Sequence, residues 1–380
     1  MIARTALTGV ILLAFAVSPF ALSQAAEPPS AEPLRLSMTS GLASNHAVPE
    51  IVRTHFQAEV ARRVAEADAG EIVWDEMHAG TLTRMGGALE AVEDELSLFG
   101  IVAVNHETRR LPLQNLTFQM PFTTENCAVV GAAYQAVHRN LDGMTDAISA
   151  VRQTFLSGIA SDGYNFISVQ PIRNAAEVRG LKVGMVDRLE SWIAGVDGLP
   201  QRLPDDTMGA RMEAGVLGAA LLPTTEIGRL GLKRQADHYT RTGFGSQVPF
   251  VLTVNTQGLQ ALPDAVRTAI EETRATFTQN AAQAYCTAGD GALDDLKSQG
   301  VRTTKLLKTR RFQWADRLPP LAQIWAAAND AAGRPGTDAV EMFVDELRTA
   351  GVTLTRDWSR IAPPSVLDAA AKELSQVPAR

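Results

Sequence analysis

Apolar residues in the first part of the chain follow two periods, which together predict strands separated by helices. Residues 34–38 alternate between apolar and polar, as a strand does, whereas the apolar residues of 49–67 recur at helical spacing. A strand over 71–76, a helix over 86–93 and an apolar strand over 97–104 are predicted next. Strands that alternate with helices are typical of a parallel sheet with right-handed crossovers.

The second half of the chain repeats this scheme. We predict strands over 181–186, 216–222 and 247–255, and helices over 189–195, 204–214 and 224–230. A chain of 380 residues is too long for one ordinary core, so two lobes are expected. The predicted lobes are residues 34–160, with segments that return from about 256–380, and residues 171–255. The strand over 247–255 could run back towards the first lobe.

A long helix is predicted over residues 263–297, with an interruption around Gly289, Asp290 and Gly291. Without that interruption it would measure roughly 50 Å at 1.5 Å per residue, enough to strap both lobes. The segment 308–380 is expected to form further helices that pack on the lobes. Its apolar anchors are predicted to be Trp314, Trp325, Phe343 and Trp358.

The N-terminal residues have the pattern of a secretory signal. Arg4 precedes an apolar run over 8–17, and residues 23–25 form a small-x-small cleavage site near Ala25. The run is shorter than the roughly 20 residues that span a membrane, which disfavours an uncleaved anchor. We therefore predict a signal peptide over 1–25 and export to a periplasm, a compartment that permits disulfides. The sequence alone leaves open whether Cys127 and Cys286 form a bridge or stay two separate thiols.

Charge and motifs exclude several classes of function. The net charge is −7 and no basic block is present, which disfavours nucleic acid as a partner. The sequence lacks a G-x-S-x-G elbow, an H-E-x-x-H motif, a Walker A loop and a Cys-x-x-Cys pair. Its six histidines have no ligand spacing. We predict a protein that is not an enzyme and that needs neither a cofactor nor a metal.

An exported α/β protein of two lobes without catalytic motifs is expected to bind a ligand. In open α/β sheets, ligands sit beyond the carboxyl ends of the strands. Two such sheets that face each other form a cleft, which can close on a ligand by hinge motion. The loops that follow the predicted strands are therefore the candidate site.

Motifs along the whole chain carry a family resemblance. They include LRLSMTSGLASNHAVPE (34–50), LPLQNLTFQMPF (111–122), RGLKV (179–183) and LRTAGVTLTRDW (347–358). In this ordered series the chain resembles the TRAP transporter solute-binding proteins of the DctP type. The resemblance implies a type II-like periplasmic binding protein with hinge strands and a long strapping helix. It also implies a receptor that delivers a small organic acid, C4-dicarboxylate-like or aromatic-bearing, to membrane permease subunits.

One departure from the family pattern concerns the ligand clamp. Where family members commonly carry an arginine that pairs with the ligand carboxylate, this chain has Gly184. A glycine supplies no bidentate contact, so the cleft is expected to lack that clamp. Arg188 could reach the cleft, although a solvated position at a helix start is the favoured interpretation. The identity of the ligand stays open.

Ten positions are candidate ligand contacts, mostly in loops at predicted strand ends. Asn255 is the favoured polar contact, and Phe122 and Trp192 would form an apolar wall unless they belong to the core. The ten positions are Asn45, His46, Thr81, Asn105, Phe122, Tyr164, Gly184, Trp192, Thr224 and Asn255. Two alternative functions remain, a secreted enzyme without a recognisable motif and a ligand-sensing paralogue that partners a membrane sensor.

Overall fold

The computed structural model describes residues 32–360 together with Leu367 and Lys372. All elements below belong to the compact unit Pro33–Arg380. The predicted signal peptide over 1–25 and most of the segment after residue 360 lie outside the described residues. Among the described helices, none is both long enough and apolar enough to cross a membrane.

Strands and helices alternate along most of the chain. The strands are β1 (Leu34–Thr39), β2 (Ile72–Met77), β3 (Phe99–Ala103), β4 (Gln153–Ile159), β5 (Tyr164–Ser168), β6 (Lys182–Met185), β7 (Leu199–Arg202), β8 (Ala219–Pro223), β9 (His238–Arg241), β10 (Phe250–Asn255) and β11 (Arg302–Lys305). The helices are α1 (Ala47–Val52), α2 (Ala58–Glu66), α3 (Ala88–Glu93), α4 (Cys127–Asn140), α5 (Asp142–Ser149), α6 (Glu190–Ala194), α7 (Met208–Glu213), α8 (Thr224–Arg229), α9 (Thr256–Ala261), α10 (Asp264–Ser298), α11 (Lys308–Arg317), α12 (Leu321–Ala331) and α13 (Gly336–Thr349).

The first sheet has the strand order β2-β1-β3-β10-β4. Strands β1, β2 and β3 pair in parallel, which confirms the parallel arrangement predicted for this region. Strand β10 returns from the second half of the chain and pairs antiparallel with β3 and β4. All six residues of β10 are buried, as expected for an inner strand covered on both faces.

The second sheet has the strand order β11-β9-β5-β8-β6-β7. Strands β6, β7 and β8 pair in parallel, and β5 pairs antiparallel with both β8 and β9. Strands β7, β9 and β11 were not predicted, because each is only four residues long and none has a run of buried apolar residues. The fold class predicted from the sequence, α/β with two sheets, is confirmed, while the exact lobe boundaries stay a prediction.

Two segments connect the sheets and lie side by side. Residues 160–163 lead from β4 to β5, and residues 242–249 lead from β9 back to β10. Ser161 N donates to Gln247 O at 2.8 Å, and Ser246 Oγ donates to Ser161 O at 2.6 Å. Such short paired connections are the usual positions of hinges between lobes.

Helix α10 is continuous over 35 residues. The interruption predicted around Gly289 is therefore wrong. Gly289 instead allows a close approach, because a Cβ atom there would lie 2.6 Å from the Cβ of Asp162. The helix contacts α1, α2 and β4 on the side of the first sheet and α8 on the side of the second. It therefore straps elements of both sheets, as the sequence analysis predicted.

A disulfide joins Cys127 to Cys286 with a Cα–Cα distance of 6.0 Å. The bridge ties the start of α4 to α10 across a sequence separation of 159 residues. Between the two alternatives that the sequence left open, the structure has the bridge.

The apolar anchors predicted for the C-terminal segment are mostly buried. Trp314, Phe343 and Trp358 are buried as predicted, whereas Trp325 is only half-buried.

Candidate ligand-binding cleft

A cavity of about 650 Å³ opens where strand ends of the two sheets meet. The first sheet contributes the loop after β1 and the ends of β3 and β10. The second sheet contributes Tyr164 of β5, Asp187 after β6, Arg202 of β7 and the start of α8. This is the position at which open α/β sheets bind ligands.

One part of the lining is apolar. Leu42, Met85, Leu203, Leu222 and Phe250 contribute to it, and the ring of Phe250 also packs edge-on against His46 at a centroid distance of 5.5 Å. Apolar walls that surround a few placed polar groups are the usual composition of sites for small molecules.

A first polar cluster surrounds Asp187. Tyr164 donates its hydroxyl to Asp187 Oδ2, and Asn105 Nδ2 donates to Asp187 Oδ1 at 2.8 Å. Burial, with a further contribution from Asp187, raises the pKa of Tyr164 well above its ordinary value, so the phenol stays a donor. These bonds fix the carboxylate of Asp187 at the edge of the cavity.

A second polar cluster lies on α8. Arg229 donates from Nε and Nη2 to Glu226 Oε2, at 2.8 and 2.6 Å, and Nη2 also binds Asp205. His46 accepts from Val48 N at its Nδ1, so its neutral tautomer carries the proton on Nε2, 3.3 Å from Glu226 Oε1. Burial lowers the pKa of His46, although Glu226 partly opposes the shift, and the ring is neutral at pH 7.

Arg202 stands at the end of β7, and within the described part of the chain Glu190 is its one ion-pair partner. Its Nη1 lies 3.3 Å from Glu190 Oε1, and a quarter of its side chain is exposed. Arg188, considered from the sequence as a second cation, donates its Nε to Asn105 O at 3.1 Å. Arg188 is otherwise exposed, as favoured from the sequence, and lies outside the cavity lining, whereas Arg202 belongs to that lining.

Asp162 positions the helix that carries Glu226 and Arg229. Its Oδ2 accepts from Thr224 N at 2.6 Å and Thr225 N at 3.3 Å, and its Oδ1 accepts from Thr225 Oγ1 at 2.8 Å. Burial raises the pKa of Asp162 to about 7, although the bonds from Thr225 and Thr224 oppose the shift. The connection between the sheets is thereby joined to α8.

We expect Asp162 to make the stability depend on pH. Because its pKa is higher in the folded than in the unfolded protein, its contribution is complete below about pH 4 and is lost as the pH rises through about 7. The slope approaches about 1.4 kcal/mol per pH unit at most. Asp162→Asn should remove this slope and keep the contacts to α8, with the amide oxygen accepting from the backbone N–H groups and the amide nitrogen donating to Thr225 Oγ1.

Thermal unfolding from pH 5 to pH 8 measures this effect. The wild type should lose melting temperature relative to Asp162→Asn as the pH rises. Parallel pH profiles for the two proteins would contradict the assignment to Asp162.

The structure brings a few of the ten predicted contacts to the cavity. His46 and Tyr164 line it, and Asn105 lies directly behind Asp187. Asn45 lies at the edge, where its Oδ1 accepts from Arg229 Nη1 at 3.4 Å. Thr81 is exposed in the loop after β2 and does not belong to the cavity lining.

Four other predicted contacts have structural roles away from the cavity. Phe122 and Trp192 are buried in the largest apolar cluster, which makes the core alternative the correct one. Thr224 forms hydrogen bonds with Asp162, Asn165 and Tyr239 on the side of the second sheet. Asn255, the favoured polar contact, caps α9 by accepting from Gly258 N at 2.8 Å, and it donates to Val92 O.

Gly184 also lies outside the cavity lining, although it was among the ten candidate contacts. A Cβ atom at this position would lie 2.2 Å from Met208 Sδ and 2.8 Å from Leu217 Cδ1, both in a buried apolar cluster. In the β6–β7 pairing Gly184 lies beside Gln201, whereas Arg202 lies beside Met185. Because neighbouring residues of a strand point to opposite faces, Arg202 and Gly184 face opposite sides of the sheet.

Sequence reasoning missed the charged residues of the cavity. Asp187, Arg202, Glu226 and Arg229 are single charges without a motif. Asp187 could have been found as the polar residue that follows β6, and Glu226 as part of the helix that follows β8. No signal identified Arg202, because β7 itself was not predicted. Within the described part of the chain, no group of three or more His, Cys, Asp or Glu side chains is arranged to hold a metal ion.

Solved structures that share this fold include TRAP periplasmic solute-binding proteins. The protein from Desulfovibrio salexigens, an open complex with a symmetry mate's C-terminus in its ligand site, matches with a TM-score of 0.74 at 17% identity over 87% of this chain and 99% of that one. The protein from Rhodoferax ferrireducens with copurified benzoate has a TM-score of 0.72 and an identity of 13%, over 84% of this chain and 98% of that one. The protein from Bordetella bronchiseptica with both mandelate enantiomers has a TM-score of 0.70 and an identity of 18%, over 84% of this chain and 100% of that one.

These matches show the two-lobed fold of periplasmic solute-binding proteins. None of the curated proteins matches the chain significantly. A family model, however, matches residues 44–328, which is most of the chain and includes every strand of the two sheets except β1. The protein belongs to the DctP family, the bacterial extracellular solute-binding proteins of family 7.

Proposed function

We propose that this protein is the periplasmic receptor of a TRAP transporter, which closes its cleft on a small organic acid and delivers it to membrane permease subunits. The observation that carries this proposal is a cavity at the strand ends of both sheets that combines an apolar wall with the loosely paired guanidinium of Arg202. The family is one of solute-binding proteins, which favours a receptor over the alternative of a secreted enzyme.

Arg202 is the better anchor for a carboxylate than Arg229. The guanidinium of Arg229 is already occupied by Glu226 and Asp205, and its side chain is 12% exposed. The 3.3 Å contact of Arg202 with Glu190 leaves donors free for a planar, bidentate pair with a ligand carboxylate. An arginine on the neighbouring strand would thus supply the charge that Gly184 cannot supply.

The size and lining of the cavity suit a small acid with an apolar body. A volume of about 650 Å³ lies within the usual range of roughly 300–1,000 Å³ for small-molecule sites. Met85, Leu203 and Phe250 would contact the body of the ligand. Benzoate and mandelate, found in two proteins of the same fold, are acids of this kind and support an aromatic-bearing ligand.

Binding would work through closure and requires no chemical step. The cavity is lined by residues of both sheets, so a ligand that contacts Arg202 and Phe250 together favours the closed arrangement. The paired connections 160–163 and 242–249 are the segments that would bend. The closed form would then present its ligand to the permease.

We expect Arg202→Gln to weaken the binding of organic acids about 10- to 100-fold, because a charged hydrogen bond contributes about 1.5–3 kcal/mol. The change should cost little stability, since the Glu190 contact is long and partly exposed. Titration calorimetry with benzoate, mandelate and succinate measures the affinity. Arg211→Gln, at an exposed arginine of α7, is the matched control and should bind as the wild type does. Equal affinity of Arg202→Gln and wild type would remove Arg202 as the anchor.

A further inference from the structure

The carboxylate of Glu226 has one oxygen in use and one without a donor. Its Oε2 accepts two hydrogen bonds from Arg229, whereas its buried Oε1 has no hydrogen-bond partner among the described residues. His46 Nε2 lies 3.3 Å away without forming a hydrogen bond of good geometry. The side chain is 10% exposed and lines the cavity. A buried acceptor without a donor is costly, so such an atom points to a donor that a ligand supplies.

A second acceptor without a donor lies behind the same cavity. Asn105 donates from Nδ2 to Asp187, but its buried Oδ1 has no partner among the described residues. The neighbouring residues Ala103 and His106 line the cavity. These two orphan atoms are therefore both acceptors, one on the side of each sheet.

The net charge of the cavity lining also favours a ligand with a positively charged donor. Among the described lining residues, four carboxylates face two guanidinium groups: Asp187, Asp205, Asp206 and Glu226 against Arg202 and Arg229. Burial lowers the pKa of His46 and of His106, so neither ring adds a positive charge at pH 7. A ligand with only negative charge would enter a cavity with an excess of negative charge.

We infer that the solute carries an ammonium group beside its carboxylate, with the ammonium on Glu226 Oε1 and the carboxylate on Arg202. The inference rests on the proposed receptor function and narrows the ligand to a zwitterion of the amino-acid type. An ammonium group offers three donors and a positive charge, so it satisfies the orphan acceptor and also offsets the acidic lining. A hydroxyl group would satisfy the acceptor but leave the excess charge unchanged.

Matched ligands test this inference on the intact protein. There are three sets, and the members of each set differ only in the group on the carbon next to a carboxylate, which is hydrogen, hydroxyl or ammonium. The sets are propionate, lactate and alanine; succinate, malate and aspartate; and phenylacetate, mandelate and phenylglycine. Titration calorimetry at pH 7.5 should show the ammonium member of at least one set binding tenfold or more tightly than both other members. Glu226→Gln should reduce that ratio at least fivefold, while Glu213→Gln, at an exposed carboxylate of α7, should preserve it.

The outcomes separate the inference from the proposed function. If the hydrogen or hydroxyl members bind as tightly as the ammonium members, the inference is overturned and the organic-acid receptor remains. If no member of any set binds, the proposed function is overturned together with the inference. A ratio that Glu226→Gln leaves unchanged in a folded protein would overturn the assignment to Glu226.

Discussion

Gly184→Arg should destabilise the protein and leave its ligand range unchanged. We expect the free energy of unfolding to fall by at least about 4 kcal/mol. The new side chain would begin 2.2 Å from Met208 Sδ and would point into a buried apolar cluster. A guanidinium there has neither space nor a partner, and an unpaired buried charge is among the most destabilising changes. Urea unfolding followed by circular dichroism measures the loss.

Two matched variants separate space from charge. Gly184→Ala should cost about 1–3 kcal/mol, because only the flexible side chains of Met208 and Leu217 must shift. Gly291→Arg places an arginine at an exposed glycine of α10 with no atom near its Cβ, so it should be nearly neutral. A stable Gly184→Arg protein with altered ligand preference would show that this position faces the cleft after all.

Loss of the Cys127–Cys286 bridge should lower the free energy of unfolding by about 2–5 kcal/mol. The bridge closes a loop with a sequence separation of 159 residues, and long loops restrict the unfolded chain most. The expected drop in melting temperature is about 5 °C or more.

Calorimetry tests the role of the bridge by comparing three samples. They are the oxidised protein, the reduced protein and the double variant with Cys127→Ala and Cys286→Ala. The reduced protein and the double variant should melt at similar temperatures, both below the oxidised wild type. Identical melting temperatures in all three samples would show that the bridge contributes nothing to stability.

The hydrophobic pattern was sufficient to predict the parts of the fold with many consecutive buried residues. Strand β3 was predicted from its run of apolar residues, and helix α10 was predicted from the length of its segment. Strands β9 and β11 were missed because four mostly polar residues carry no period. Their pairing is decided by neighbouring strands, which a local pattern does not contain.

The candidate cavity lies at loops that the sequence pattern indicated, but most of its charged side chains were not among the ten candidate contacts. His46 was found because it ends the loop after β1, and the structure places it in the cavity lining. Asn255 was favoured by its position at a strand end, yet such a position equally suits a helix cap, which is its role. Arg202 was missed because its position depends on β7 pairing with β6.

Gly184 shows how a motif position differs from a spatial position. The motif places an arginine within the strand, but the face on which a side chain leaves the strand follows from the pairing and packing of the sheet. Here the face of Gly184 is filled by Met208 and Leu217, while the cavity lies beside Arg202. The loss of one arginine therefore does not imply the loss of a carboxylate anchor.

The location of the bound solute tests the central claim most directly. A crystal structure with the tightest binder from the matched sets should show it in the cavity, its carboxylate within about 3 Å of the Arg202 guanidinium and its other polar group on Glu226. Density in another groove, such as the one beside Lys233 and Arg234, would contradict the account. A ligand in the cavity that leaves Arg202 on Glu190 would contradict the proposed anchor.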